Sequence, residues 1–575
     1  MKRIHWINPV SADFDTAADW SGHVVPGASD KAILDAAGSA FTVTASVSET
    51  VHSIQLAANA TLDITGGTTF TASDGTGPGQ NAGKIVVGNG ATFTVGGNLN
   101  NTGLILVNGD VPTTKLVLAS NTTLSGGGTV TLDLGESNHN KIEVEAATGV
   151  GTVTLTNVDN TIVGVGDIGA TNSGSQSLTL VNQSKGVIEG GVGDGVLSFG
   201  DANTRSFITN TGILEAGGNY NNAYLYIYNT DIKGVGGEIV GDSQASVELF
   251  DCAVTGQTLE TEAIGNINIY QGSSVTSGGN IENAGAIVVA GSNLTFDTGG
   301  TLSGGGGIYV SGEDGVGAVI SGTSPAIVLT NVDNTIYGSG ALGDGKLGLV
   351  NEAGGTIDAD IRGQALIIDT GSNTIINDGL IETTPYDFRA AGGSLVIRSA
   401  IANNGVLAAN DTNLVVDGAV TGSGEVTIGS GVLTFQSSFD QNVTFTGEGI
   451  LVLAQSQAYG ADITGFAAVD LRDVGFVSPG EASFNGTTSS GVLTVTDGTH
   501  TAHINLIGDY VGSHFVASSD GYGGVTVVDA QSDANPHRFA AAMASLGASG
   551  GATVQTVDGW LVRPTLLASP HVMVA

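Results

Sequence analysis

Cysteine is almost absent. The single thiol, Cys252, excludes an intrachain disulfide. Its setting, Phe250-Asp251-Cys252-Ala253-Val254, reads as a strand that buries an inert thiol. Basic residues are scarce too. Sixteen Lys plus Arg stand against 54 Asp plus Glu, for a net charge of −38. A nucleic-acid binder needs clustered Lys and Arg, so that class is excluded. There is no basic segment for anionic lipid and no run of 18 apolar residues, so no direct insertion into a membrane is expected. Aromatics are 5 % of the chain and charged residues 12 %, against a usual charged share of ~25 %. No histidine occurs between His139 and His500, which removes the commonest base and metal ligand from the middle of the chain. Helical periodicity is missing before residue 535. The start, Met1-Lys2-Arg3, is basic, but no apolar signal-peptide core follows it. The expectation is a cytosolic chain, or one exported without a cleaved N-terminal signal.

Glycine, by contrast, supplies 91 of 575 residues, more than twice the usual ~7 %. No Gly-X-Y period accompanies it, which excludes collagen. With 41 % apolar residues, disorder is not the reading either. Short β-prone runs are separated by Gly, Asn, Ser, Asp and Thr. Some are continuously apolar, such as Leu414-Val415-Val416. Others alternate, such as Ile267-Asn268-Ile269-Tyr270.

These units repeat. Leu-Thr-Asn-Val-Asp-Asn-Thr-Ile occurs at 155–162 and again at 329–336. The duplication continues for at least ~55 residues with small insertions, the mark of a solenoid. Beneath it, Asn-x-Gly-x-Ile/Leu recurs at 101–105, 210–214, 283–287, 377–381 and 403–407. Asn at one place in successive coils can stack as an amide ladder. The predicted fold is all-β: a right-handed parallel β-helix over 41–435, with roughly 18 coils and a length on the order of 85 Å. A sandwich or propeller is the rival, and the absence of a blade motif counts against the propeller.

Residues 1–40 hold Trp6 and Trp20 and read as an N-terminal cap. Residues 436–530 carry Asp497-Gly498 and Asp520-Gly521 between alternating runs, hairpin signals of a small β module. In 531–575, Asn535 and Pro536 open a short helix that Gly547 ends, followed by an apolar tail.

Trp20-Ser21-Gly22, Val25-Pro26-Gly27-Ala28 and the stretch 491–527 resemble, with the repeats, the Gly-rich β-strand-repeat proteins of alphaproteobacterial cell surfaces. These share the repeat style of autotransporter passengers and adhesins. The resemblance implies a secreted or surface-bound protein. Unlike an autotransporter, the chain is expected to have no translocator barrel, since 531–575 are too few residues for one. Export by a type I-like, non-Sec route, with a signal in 531–575 read by secretion machinery, is the expectation.

Three constellations bear on chemistry. For calcium, 190–194 approach the RTX nonapeptide but place Asp one residue early, and no EF-hand spacing occurs. No resident cofactor or metal site is assigned, with Ca²⁺ the one ion the acidity leaves open. His500 and His503 alternate onto opposite faces of a strand, which argues against zinc. For catalysis, Asp358, Asp360 and Arg362 fall on one side of a strand if alternation holds, an acid/base pair with a cation. The competing reading is a solvated outer face. For recognition, Tyr224, Tyr226 and Tyr228 alternate with Leu225 and Ile227, and Phe250 and Tyr270 follow one and two coils later. That places an aromatic patch on the outside, suited to glycans or to a host or neighbouring cell surface. The competing reading is ring stacking that only stiffens the rod.

The function expected is adhesion or extracellular matrix and biofilm structure, without catalysis. The alternatives are a carbohydrate-active β-helix enzyme acting on acidic polysaccharide and a calcium-assembled surface layer.

Overall fold

The computed structural model describes residues 1–109, 114–133, 143–146, 152–169, 178–191, 195–217, 222–312, 317–384 and 393–530. The helix expected at 536–547, the export signal and residues 192–194 of the RTX-like segment lie outside these. The chain is nearly all-β, 55 % strand, and winds into a parallel β-solenoid of about 17 turns. At ~4.8 Å per turn the rod is about 80 Å long.

Each coil contributes strands to three parallel columns. One runs through Tyr224–Tyr228, Ser246–Phe250 and Asn266–Ile269 on to Gly307–Ser311, Thr335–Gly338, Thr356–Ala359 and Leu380–Thr383. We call its outer side the tyrosine face. A second, the glutamate face, includes Val187–Gly190, Ile213–Ala216, Ile281–Asn283 and Val328–Asn331. A third, the aliphatic face, includes Ser274–Ser277, Val319–Gly322, Ala365–Ile368 and Val432–Phe435. Burial alternates strictly in most strands, as in Phe41–Ala45 and Tyr224–Tyr228. Inward Leu, Ile, Val and Phe form one core along the axis, the term that dominates folding.

Asparagine fills two corners. Asn157, Asn182 and Asn210 pass side-chain hydrogen bonds of 2.9 Å from coil to coil between the aliphatic and glutamate faces, and Gln257 reaches Asn210 at 2.7 Å across the intervening coil of Gly234. Asn331, Asn351, Asn377 and Asn403 do the same between the glutamate and tyrosine faces, where Gln441 again reaches across one coil to Asn403. The Asn-x-Gly motif therefore occupies one corner at 210 and the next at 377. Accordingly, the duplicated octapeptide is rotated by one face. Val153–Asn157 belongs to the aliphatic column, whereas its equivalent Val328–Asn331 belongs to the glutamate column. The glycine of the motif is sterically required: a Cβ on Gly379 would lie 2.4 Å from the Gly355 carbonyl oxygen.

Trp6, Phe14 and Trp20 are buried at the N-terminal end. Trp20 meets both Trp6 and Phe14 edge-on at 5.0 Å, and Phe14 meets Phe70 of the early coils at 5.4 Å. At the other end, parallel pairing runs past residue 435, to Ala468–Leu471 on one face and to Thr501–Ile507 on another. The strand Val525–Asp529 then adds antiparallel to Ala468–Leu471. Turns at 497–500 and 520–524 close two hairpins, Ser490–Thr496 with Thr501–Ile507 and Phe515–Ser519 with Val525–Asp529.

Candidate functional site

The tyrosine face carries both sequence-derived constellations on one column. Register links Tyr226 to Glu248, then Asn268, then Val288 and Tyr309. It continues through Tyr337 and Asp358 to Glu382. That is seven coil steps, about 34 Å at ~4.8 Å each. The coil length varies along it, from 20 residues (Glu248 to Asn268) to 28 (Tyr309 to Tyr337). A fixed period in the sequence therefore does not reveal the alignment.

At one end the five expected rings come together. Leu225 and Ile227 are buried and Tyr224, Tyr226 and Tyr228 are half-buried on the outside. Tyr224 meets Tyr226, and Tyr226 meets Tyr228, edge to face at 5.8 and 6.0 Å. Tyr228, Phe250 and Tyr270 stack parallel across three coils, at 4.9 and 4.7 Å. In that row ring faces cover one another, so ring edges rather than faces are turned to solvent. Between the rings Glu248 is buried. Its Oε1 accepts from the Ser246 hydroxyl at 2.6 Å and from the Asn268 amide at 2.8 Å. Burial, then the Glu248 charge, push the Tyr226 phenol up, and burial does the same to Tyr228. Both hydroxyls stay protonated donors at neutral pH.

Further along, Tyr309 and Tyr337 pack at 5.3 Å, a pair that the sequence reading did not single out. Beyond them the strand Thr356–Ala359 ends earlier than alternation implies. Asp358 points outward from it, Asp360 lies just past its end, and Arg362 is exposed in the following turn. The single-strand grouping of Asp358, Asp360 and Arg362 is thereby corrected. The neighbour of Asp358 is Glu382, its register partner on the next coil. Asp358 accepts from the Thr384 backbone N–H at 3.0 Å and hydroxyl at 2.5 Å. Glu382 accepts from the Asn410 amide at 2.8 Å. Burial pushes Asp358 up to about 6, with Glu382 and Asp360 adding to it. It raises Asp360 and Glu382 as well. Among the described residues, hydroxyl, amide and backbone donors hold Asp358 and Glu382.

The glutamate face holds the other concentration of acids. Glu189 registers with Glu215, and Glu260 with Glu282. Glu215 is pushed up to about 7 by burial, then by Glu189, Asp242 and Glu262. Among the described residues no group of three His, Cys, Asp or Glu side chains is arranged to hold a metal. His500 bonds Asp497 in its turn at 2.9 Å, while His503 meets the Thr494 hydroxyl across the hairpin at 3.3 Å. Cys252 is buried, its thiol within 3.2 Å of the Ile227 carbonyl oxygen and pushed up to about 12 by burial. No protein-family model and no curated protein sequence matches this chain.

Proposed function

We propose that the chain is a secreted or surface-displayed rod that binds glycans through its tyrosine face, as an adhesin or matrix component does. One observation carries this reading. Five half-exposed rings gather on the outside of three adjacent coils, where the buried core has no need of them. Tyrosine at such a place offers apolar ring edge and a hydroxyl donor together, the combination that suits a sugar's C–H and O–H surfaces. Glu248, Ser246 and Asn268 lie between the rings as a prearranged polar network. A stiff rod repeats weak contacts along its length, so affinity comes from many of them at once.

The test replaces Tyr224, Tyr226 and Tyr228 together by Ser in the full chain, with a parallel Tyr→Phe triple variant. Binding to a panel of immobilised polysaccharides is measured after circular dichroism has established the fold. Loss of at least tenfold affinity in the Ser variant is expected, since each aromatic contact contributes ~0.5–1.5 kcal/mol. The Phe variant, which keeps the rings, should lose less. A folded Ser variant that binds as the parent does would end this assignment, as would a parent that binds no polysaccharide.

A second reading, acid–base cleavage of a polysaccharide, rests on Asp358 alone. A carboxyl pushed to about 6 beside a second carboxyl on the next coil is poised to exchange protons near neutral pH. Release of reducing ends or unsaturated sugars by the parent chain, abolished in Asp358→Asn, would support it. An Asp358→Asn variant as active as the parent would remove it.

A further inference from the structure

The aliphatic face stands apart from the rest of the surface. Its outward strand positions from Ser274 to Thr434 span eight strands, and none of them carries a charge. In a chain of net charge −38, whose other two faces display Asp and Glu at outward positions, this is an exception. The register aligns its apolar side chains. Val319 pairs with Ala341, Ala341 with Ile367, Ile367 with Val396 and Val396 with Val415. All five are half-buried in the single chain. The column continues through Thr434 to Val452, where Ile450, Val452, Ala468 and Val528 form a small apolar cluster separate from the axial core. Ser, Thr and Asn flank the column, and Asp297, Asp369 and Asp417 follow its strands as a mainly acidic rim, in which Arg398 lies 3.7 Å from Asp369.

We propose that this face is the contact between two copies of the chain, packed sheet on sheet with their rods side by side. Charge selects the partner surface. Two acidic rods repel along the faces that display Asp and Glu, so the uncharged aliphatic face of a second copy is the described surface that can best be brought close. Size fits as well. Eight strands at ~4.8 Å cover about 38 Å, and a four-residue strand is about 13 Å long. The product is about 500 Å² per copy, or about 1,000 Å² in all, the lower bound for a specific interface. Flat β-faces bearing Val, Ile, Thr and Ser pack at ~10 Å in sandwiches, and a two-fold pairing uses the same patch on both copies. The acidic rims approach one another in such a pair, so added salt strengthens it by screening them. The tyrosine face stays free in the pair, and side-by-side rods present two such faces.

Sedimentation equilibrium of the full chain tests this at 0.1 and 1 M NaCl, with EDTA throughout. A dimer at micromolar concentration, with its fraction rising at high salt, is expected. The Ile367→Glu/Val415→Glu variant should weaken it at least tenfold. The Thr301→Glu/Ser303→Glu variant, with the same added charge at outward positions of the glutamate face, should leave it nearly unchanged. Circular dichroism establishes that both variants are folded. A parent that stays monomeric in EDTA at both salts overturns the proposal. So does equal weakening by the two variants, which would reflect net charge alone, or a dimer that salt dissociates.

Discussion

Asn351→Ala is expected to destabilise the coils around it by about 3 kcal/mol, far more than an alanine at a surface asparagine of the same region. Asn351 is fully buried and both ends of its amide are engaged. Its Oδ1 accepts from Asn331 Nδ2 at 2.9 Å, and its Nδ2 donates to Asn377 Oδ1 at 2.9 Å and to the carbonyls of Gly355 and Leu380 at 3.2 Å. Alanine removes a link from the middle of the ladder. Asn377 Oδ1 then loses its donor while remaining buried, and Asn331 Nδ2 keeps only the Asn334 carbonyl, at 2.8 Å, as acceptor. An orphaned buried polar group costs ~1–3 kcal/mol, and the second N–H of Asn331 is left unpaired beside it. Neighbouring amides polarise one another along the row, which adds to the loss. Asn404, exposed and bonded to Asp378 at 2.9 Å, is the control, and its alanine variant should cost under ~1 kcal/mol. Because a solenoid's coils contact only their neighbours, the damage stays local. Hydrogen exchange reads this directly: amides of 328–383 should lose protection while those of 41–95 keep theirs. Uniform change over both regions, or none in either, would show that the ladder does not hold the corner.

The corner chemistry was legible because it depends on residue types at short spacing. Asn-x-Gly names both the amide that stacks and the glycine whose missing Cβ lets the next coil approach. Strand alternation likewise assigned Leu225 and Ile227 to the core and the three tyrosines to the outside. The face on which each motif lands was not legible. Two long strands, Thr230–Gly241 and Ala253–Thr261, each run across a corner, and the Asn motif shifts by one face over that stretch. Sequence similarity between the two copies is blind to this, since it depends on how many corners intervene. The same irregularity, coils of 20 to 28 residues, hid the alignment of Tyr226 with Tyr337, Asp358 and Glu382. Arg362 was misplaced for a simpler reason. Alternation predicts which side a residue takes only while the strand lasts, and this one ends at Ala359.

Asp470→Asn is expected to stabilise the C-terminal end of the rod above pH 7, and the gain should vanish toward pH 4. Asp470 is 1 % exposed, in the strand Ala468–Leu471 that the antiparallel strand Val525–Asp529 closes. Among the described residues its Oδ1 has no hydrogen-bond partner, and neither has the hydroxyl of Thr526, its register partner. Arg472 approaches only to 3.8 Å. Burial, then the charge of Asp520, push the carboxyl from 3.8 up to about 7, against the pull of Arg472. The folded chain therefore keeps a proton that the unfolded chain gives up near pH 4. Below that pH both forms are protonated and the group contributes nothing. Between about 4 and 7 the unfolded state ionises first, so stability falls as pH rises, and it levels off once the folded carboxyl ionises as well. A gap of about three pH units at ~1.4 kcal/mol each sets the loss at on the order of 4 kcal/mol by pH 8. Asparagine has no charge to desolvate, and its amide can donate to the Thr526 hydroxyl across the strand pair. Amide protection in 468–471 and 525–529, compared between parent and variant at pH 5 and pH 8, measures the effect. The variant should be the better protected at pH 8 by a margin that narrows at pH 5. Equal or poorer protection at pH 8 would mean that Asp470 is paid for by its surroundings as an ion, with Arg472 closing to a full salt bridge.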